Sequence, residues 1–161
     1  TQAITCEPCA AGTAQPSMKK IQCDDCPTGS IQPLTGQGSC PPCPAGQKYQ
    51  NPTTCVPCEV GFYQDSTGQS SCILCPSGHF SQFVGTQECS PCVKGSQPDH
   101  NRGDCDFCLA GQSNPSQGGT CQNCPSGYVA PTTGSSSCSP CSAGSQANKD
   151  RTKCLNCPLG F

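Results

Sequence analysis

Cysteine is the residue type with the most chemistry in this chain, and all 20 cysteines of its 161 residues stand in Cys-x-x-Cys pairs. The pairs are Cys6/Cys9, Cys23/Cys26, Cys40/Cys43, Cys55/Cys58, Cys72/Cys75, Cys89/Cys92, Cys105/Cys108, Cys121/Cys124, Cys138/Cys141 and Cys154/Cys157. Thiols at this spacing support thiol–disulfide exchange, tetrahedral zinc binding or structural cross-linking. Exchange needs a strand–helix setting that depresses one thiol pKa, and no such setting is legible. Ten pairs could form five four-thiolate zinc sites, but they make one even series rather than separated fours, with only two His present. Cross-linking is the chemistry that an uninterrupted series serves, so no cofactor or metal is expected.

Other candidates are weaker. Arg102-Gly103-Asp104 is an integrin-type tripeptide on a loop, although Gly and Asp are also ordinary turn residues. Asp99-x-Asn101-x-Gly103 imitates the start of a calcium loop but lacks the downstream Glu. His79 and His100 are isolated, and no Ser/His/Asp set, carboxylate pair or phosphate loop can be assembled, so no enzyme is expected. Asn51-Pro52-Thr53 and Asn114-Pro115-Ser116 are blocked as N-glycosylation sites by Pro. Ser/Thr-rich tips such as Thr132 to Ser137 are candidates for O-linked glycans.

The elements that must position the cysteines are turns. Gly follows the second Cys of every pair by three residues, at Gly12, Gly29, Gly46, Gly61, Gly78, Gly95, Gly111, Gly127, Gly144 and Gly160. A second turn mark falls four residues before the closing Cys: Gly36, Gly68, Gly85, Gly134, Asn51, Asn101 and Asp150. Gly, Asn and Asp best tolerate positive φ, so this position is expected to turn the chain back. Lys19 and Gln117 are exceptions, with Gly118 following the latter. Aromatics soon after the first Gly (Tyr49, Phe62, Tyr63, Phe80, Tyr128, Phe161) are expected to lie over the disulfides as a small core. Loops with Gly95-Ser96-Gln97 or Gly144-Ser145-Gln146 are expected to be looser. Pro is dense and helical periodicity is absent, which predicts short ribbons and turns.

Composition sets the energetic frame. Ile, Leu, Val and Phe together number 19 of 161 residues, too few for a core that folds by apolar burial alone. Cysteine is equally abundant and marks a disulfide scaffold, in which cross-links restrict the unfolded chain instead. One link closing a loop of about 15 residues contributes about 3 kcal/mol. An oxidising compartment follows, extracellular or at the cell surface. The net charge of −2 is made of scattered charges of both signs, with no basic stripe for nucleic acid. No apolar window reaches membrane-spanning length. Both ends resemble interrupted repeats, so the chain is expected to be a window of a longer array.

Three pairings are open. The second Cys of each pair can bond the first of the next, giving Cys9–Cys23, Cys26–Cys40, Cys43–Cys55, Cys58–Cys72, Cys75–Cys89, Cys92–Cys105, Cys108–Cys121, Cys124–Cys138 and Cys141–Cys154. Bonds can instead form inside each pair, making small strained rings, or between alternate repeats. The first choice closes every loop and is the favoured expectation. It leaves Cys6 and Cys157 without partners.

The pattern Cys-Pro-x-Gly-[Tyr/Phe]…Gly-x-x-x-Cys-x-x-Cys, as in the stretch opened by Cys124-Pro125-Ser126-Gly127-Tyr128, resembles the ephrin-receptor-like (growth-factor-receptor-like) cysteine-rich repeats. It is also similar to the single-disulfide module of tumour-necrosis-factor receptors. In that module the Cys before x-x-Gly-x-Tyr pairs with the first Cys of the next Cys-x-x-Cys, which supports loop closure. Pro is missing after Cys9, Cys58, Cys92, Cys108 and Cys141, and several loops lack the aromatic.

The expected fold class is small and disulfide-rich: a tandem array of roughly 16-residue Cys-rich modules with short β-ribbons and turns, an extended rod with almost no helix, continuous over 1–161. The expected function is a non-enzymatic extracellular structural segment (stalk, surface coat or filament) whose partners are other copies of itself or other extracellular structural proteins. The alternative is a receptor or adhesion ectodomain binding a protein ligand, for which Phe62, Tyr63, Phe80 and Phe83 are the nearest aromatic cluster.

Overall fold

The computed structural model describes residues 7–17 and 22–158. Cys6, Lys19, Gly160 and Phe161 lie outside the described residues. Nine disulfides close nine successive loops, in chain order Cys9–Cys23, Cys26–Cys40, Cys43–Cys55, Cys58–Cys72, Cys75–Cys89, Cys92–Cys105, Cys108–Cys121, Cys124–Cys138 and Cys141–Cys154. These are loops 1 to 9 below. Cys157 carries a free thiol.

Each loop is an antiparallel ribbon that pairs the residues just after its turn glycine with the two residues inside the closing Cys-x-x-Cys. Loop 1 holds β1 (Thr13–Ala14) with β2 (Asp24–Asp25), and loop 2 has a single bridge, Ser30 to Pro42. Loop 3 holds β3 (Gln47–Asn51) with β4 (Thr54–Pro57). Loop 4 holds β5 (Phe62–Tyr63) with β6 (Ile73–Leu74), and loop 5 holds β7 (His79–Phe80) with β8 (Ser90–Pro91). Loop 6 holds β9 (Ser96–Pro98) with β10 (Cys105–Phe107). Loop 7 holds β11 (Gln112–Ser113) with β12 (Gln122–Asn123), and loop 8 holds β13 (Tyr128–Val129) with β14 (Ser139–Pro140). Loop 9 holds β15 (Ser145–Ala147) with β16 (Cys154–Asn156). No helix occurs among the described residues. Two-stranded ribbons this short are not stable alone, so each depends on its disulfide and on its neighbours.

The chain divides into two compact units, the first running to Leu74 and including Phe83–Glu88, the second comprising Cys75–Gln82 and the chain from Cys89 onward. Within each unit, backbone hydrogen bonds tie module to module. In the first, the N–H of Gly12 donates to Gln32 O at 2.7 Å, Gln32 to Pro52 at 2.8 Å, Gly46 to Gln64 at 2.7 Å and Gln64 to Thr86 at 3.1 Å. In the second, Gly95 donates to Asn114 at 2.9 Å, Asn114 to Ser135 at 3.1 Å, Gly111 to Ala130 at 2.8 Å and Ala130 to Arg151 at 2.9 Å.

A second set of bonds seats five of the loops on the cystine before them. The N–H groups of Gly36, Gly68 and Gly85 in the first unit donate to the carbonyls of Cys9, Cys43 and Cys58 at 2.7–2.8 Å. Gly118 and Gly134 in the second do the same to Cys92 and Cys108 at 2.8 Å. These donor glycines have φ of +70 to +74° and satisfy carbonyls that would otherwise be stranded beside buried sulfur.

The first turn glycine has an additional reason to be glycine. A Cβ on Gly46 would overlap the carbonyl oxygen of Gly85 two loops onward, and one on Gly95 would overlap that of Gly134. Positive φ alone would admit Asn; backbone-on-backbone approach admits only Gly.

The core is not aromatic. Tyr49, Phe62, Tyr63 and Phe80 are half-buried and Tyr128 is exposed, so none of these rings is sealed in the interior. What is buried is the opening half of every cystine but Cys141–Cys154 (Cys43, Cys58, Cys75, Cys92 and Cys124 at 0% exposure) together with small polar side chains. Ser96 is 1% exposed and its Oγ donates to Val93 O at 2.8 Å, so loop 6 is packed where looseness was expected. A further correction concerns the second turn mark. In loops 6 and 9 the left-handed residues are Arg102 and Arg151, both at φ 56°, and not Asn101 or Asp150. The reason is where the turn begins. Asp99 and Asn148 open it, the N–H of Arg102 or Arg151 donates back to the carbonyl of Asp99 or Asn148, and the left-handed step follows one residue late. Asn51 instead marks a register shift in β3.

The longer hairpins recur in every third loop: 3, 6 and 9. Their opening residues Cys43, Cys92 and Cys141 are 49 residues apart, as are Cys26, Cys75 and Cys124 of loops 2, 5 and 8. Pro42, Pro91 and Pro140 precede the long hairpins at that same spacing, and Pro8 and Pro57, again 49 residues apart, precede loops 1 and 4. The chemical period of the array is therefore three modules, superimposed on the one-module disulfide period.

Candidate interaction surface

With eighteen sulfurs bonded and eight of the nine opening cysteines buried, chemistry at the surface falls mainly to what the modules display. The interior polar groups are consumed in holding the turns. Gln32 Nε2 donates to Ser39 O and Gln64 Nε2 to Ser71 O, each at 2.7 Å, while their Oε1 atoms accept the N–H of Leu34 (3.0 Å) and Ser66 (3.1 Å). Asn114, one carbon shorter in the one-residue-shorter loop 7, accepts from Ser116 N at 3.1 Å but sends its Nδ2 across to Ser96 O of loop 6 at 2.7 Å. Each such amide works as a two-armed clamp, and all are buried. Among the described residues no buried side-chain nitrogen or oxygen lacks a partner.

The integrin-type tripeptide has a structural task. The Arg102 guanidinium donates to the Cys75 carbonyl, standing where other loops use a glycine N–H. Gly103 is buried with its N–H on Asp99 Oδ1 at 2.9 Å, and Asp104 Oδ1 accepts from Cys105 N at 2.8 Å. Asp99 thereby serves as a turn cap rather than a calcium ligand. The turn glycines Gly12, Gly29, Gly46, Gly61, Gly78, Gly95, Gly111, Gly127 and Gly144 all have positive φ, and Gly160 lies outside the described residues.

Two shallow grooves lie in the first unit. One is lined by Lys48, Glu59, Phe62, Ser70, Ser71 and Cys72, the other by Tyr63, Asp65, Gln87 and Glu88. A third, in the second unit, is lined mainly by Ser77, Gln97, Asp99, His100, Arg102 and Thr120. All are open, the first with a mainly apolar lining and the other two mainly polar, suited to a broad partner surface rather than to an enclosed small molecule. Of the expected aromatic cluster, Phe62 and Tyr63 are half-buried in β5 and Phe83 is 73% exposed, all in the first unit; Phe80 is half-buried in the second. Leu34, at 63%, and Phe83 occupy equivalent loop tips one three-module period apart. Sequence reading missed this equivalence because it aligned single modules. The signal was available in the 49-residue spacing.

Residues 46–88 match the family described as tyrosine-protein kinase ephrin type A/B receptor-like, a segment that takes in all of loop 4 and most of loops 3 and 5. No curated protein matches the chain. The matched segment is an ephrin-receptor-like cysteine-rich repeat, and the described loops on either side continue the same disulfide spacing. Repeats of this kind imply an extracellular disulfide-rich domain.

Proposed function

We propose that this chain is a non-enzymatic structural segment of an extracellular protein, built to gain length by adding modules and to associate laterally with other copies. The supporting observation is the backbone ladder. Each module bonds the next through turn-glycine and cystine carbonyls, so cohesion requires no deep core and places no limit on repeat number. Secretion or display at the cell surface suits nine disulfides, and no helix of the described residues is long and apolar enough to cross a membrane. The exposed ribbons also offer edges for lateral contact.

The test is sedimentation of the chain, secreted and oxidised, from micromolar to millimolar concentration at extracellular salt, with the products imaged by electron microscopy. Concentration-dependent elongated assemblies are expected. A chain that stays monomeric throughout overturns the self-associating role.

A receptor or adhesion role is the second reading, favoured by the adjacent exposed side chains of Phe83 (73%) and Val84 (62%) on one loop tip. Alanine at both positions would then abolish capture of a protein ligand while leaving self-association intact.

A further inference from the structure

We propose that the hairpin turn of loop 9 binds a sulfated polysaccharide of the extracellular space. The comparison that reveals it is internal to the second unit. Loops 6 and 9 build one turn with the same bonds. The Asp99 N–H donates to Asp104 O at 3.0 Å, as Asn148 does to Lys153 O at 2.9 Å. The Gly103 N–H donates to Asp99 Oδ1 at 2.9 Å, as Thr152 does to Asn148 Oδ1 at 2.8 Å. The left-handed residue is an arginine in both, Arg102 and Arg151. The scaffold is constant and the charge is inverted.

In loop 6 the charged residues of the turn are committed to structure. Asp99 caps it, Asp104 accepts the Cys105 N–H, and the Arg102 guanidinium holds the Cys75 carbonyl. In loop 9 the cap is Asn148, which does the same work without charge and donates from Nδ2 to Thr152 Oγ1 at 3.0 Å. Lys149, Arg151 and Lys153 then stand at alternate positions against Asp150 alone, a local net of +2. Lys149 and Lys153 are exposed and Arg151 is half-buried. Among the described residues none of these three side chains makes a hydrogen bond or ion pair, so all three charges are left to a ligand.

The surroundings supply nothing that neutralises them. The turn rests on loops 7 and 8: the Ala130 N–H donates to Arg151 O at 2.9 Å, and Asp150 O lies where a Cβ on Gly111 would stand. From Phe107 to Asn148 the chain has no Asp, Glu, Lys, Arg or His. Those two loops expose amides and hydroxyls instead, such as Gln117, Gln122 and Thr133, and the ring of Tyr128. Cations on a rigid turn beside neutral amides, hydroxyls and an aromatic ring match a polymer that carries sulfates on sugar rings. An anionic lipid surface would engage only the cations. Single exposed charges are weak and are screened beyond about 8 Å at physiological salt, so binding gains strength when one polymer holds several copies.

The experiment is retention of the secreted, oxidised chain on immobilised heparin, the sulfated probe, and on the same matrix chemically desulfated. The chain as a whole carries −2, so attraction to a polyanion has to be local. Retention at about 0.1 M salt, lost as added salt shortens the screening length, is expected on the sulfated matrix alone. Lys149→Gln with Lys153→Gln should lower the affinity about tenfold and leave the unfolding temperature unchanged. Rebuilding the loop 6 turn with Asp99→Asn, His100→Lys and Asp104→Lys should raise retention, a gain that misfolding cannot produce. No retention of the unaltered chain, or retention indifferent to Lys149 and Lys153, overturns the proposal. Capture by phosphatidylserine vesicles but not by the sulfated matrix would assign the turn to a membrane surface and overturn it as well.

Discussion

The N–H of Gly85 donates to the carbonyl of Cys58 at 2.8 Å, and the ring of Pro57 lies directly under the Gly85 Cα. A turn in one loop is thus seated on the cystine of the loop before it, with a rigid ring as its base. Phe107 takes Pro57's place under Gly134. This seat is the joint of the array, and the consequences of disturbing it can be measured.

Gly46→Ala and Gly127→Ala should separate strain from crowding. Both positions have φ near +80°, but a Cβ at Gly46 overlaps the Gly85 carbonyl while one at Gly127 meets nothing within 4 Å. Alanine at 127 should cost about 1 kcal/mol, and alanine at 46 at least about twice that, read as thermal unfolding of the oxidised chain. Equal effects would mean that the close approach carries no energy.

Asn114→Leu leaves the Ser96 carbonyl and the Ser116 N–H without their clamp in a buried setting. Destabilisation of about 1–3 kcal/mol is expected. Hydrogen exchange should quicken in loops 6 and 7 together, because Asn114 bridges them.

Arg102→Gly relieves a positive φ but removes the guanidinium bond to the Cys75 carbonyl, whereas Arg102→Ala loses the bond and keeps the strain. Calorimetry should find the glycine variant about 1 kcal/mol more stable than the alanine variant. If cell adhesion survives both substitutions unchanged, the tripeptide is structural.

Timed reduction followed by alkylation and peptide mapping should show that Cys141–Cys154 opens well before Cys75–Cys89. The sulfurs of the latter belong to residues at 0% and 8% exposure, while Cys154 is exposed. An attacking thiolate needs access to sulfur, so burial sets the order. Simultaneous opening would show that the modules do not shield one another.

Much of this architecture is written in residue types. Cys-x-x-Cys spacing and the glycine three residues later define the module, and the structure has the pairing that closes each loop. Three things were hidden. The approach of Gly46 to Gly85 links residues two loops apart, and a local reading of glycine as a turn former has no access to it. The core of Gln32, Gln64 and Asn114 was missed because amides are ordinarily surface residues, and only the fold reveals their clamps. Left-handed Arg102 was missed because propensity favours its neighbour Asn101, whereas hairpin geometry and the Cys75 carbonyl favour the arginine.

Because each disulfide joins the two ends of its own loop, a protease that cuts anywhere inside a loop does not sever the molecule. The cystine carries continuity past the nick, as Cys75–Cys89 would for a cut beside Phe83. Only the two-residue spacers between loops, such as Ile73–Leu74, are single-path connections, and all of those but Pro41–Pro42, which makes a single bridge, are held in β-strands rather than as loose substrate. A chain made this way can be cut at most of its exposed bonds and still remain one covalent molecule.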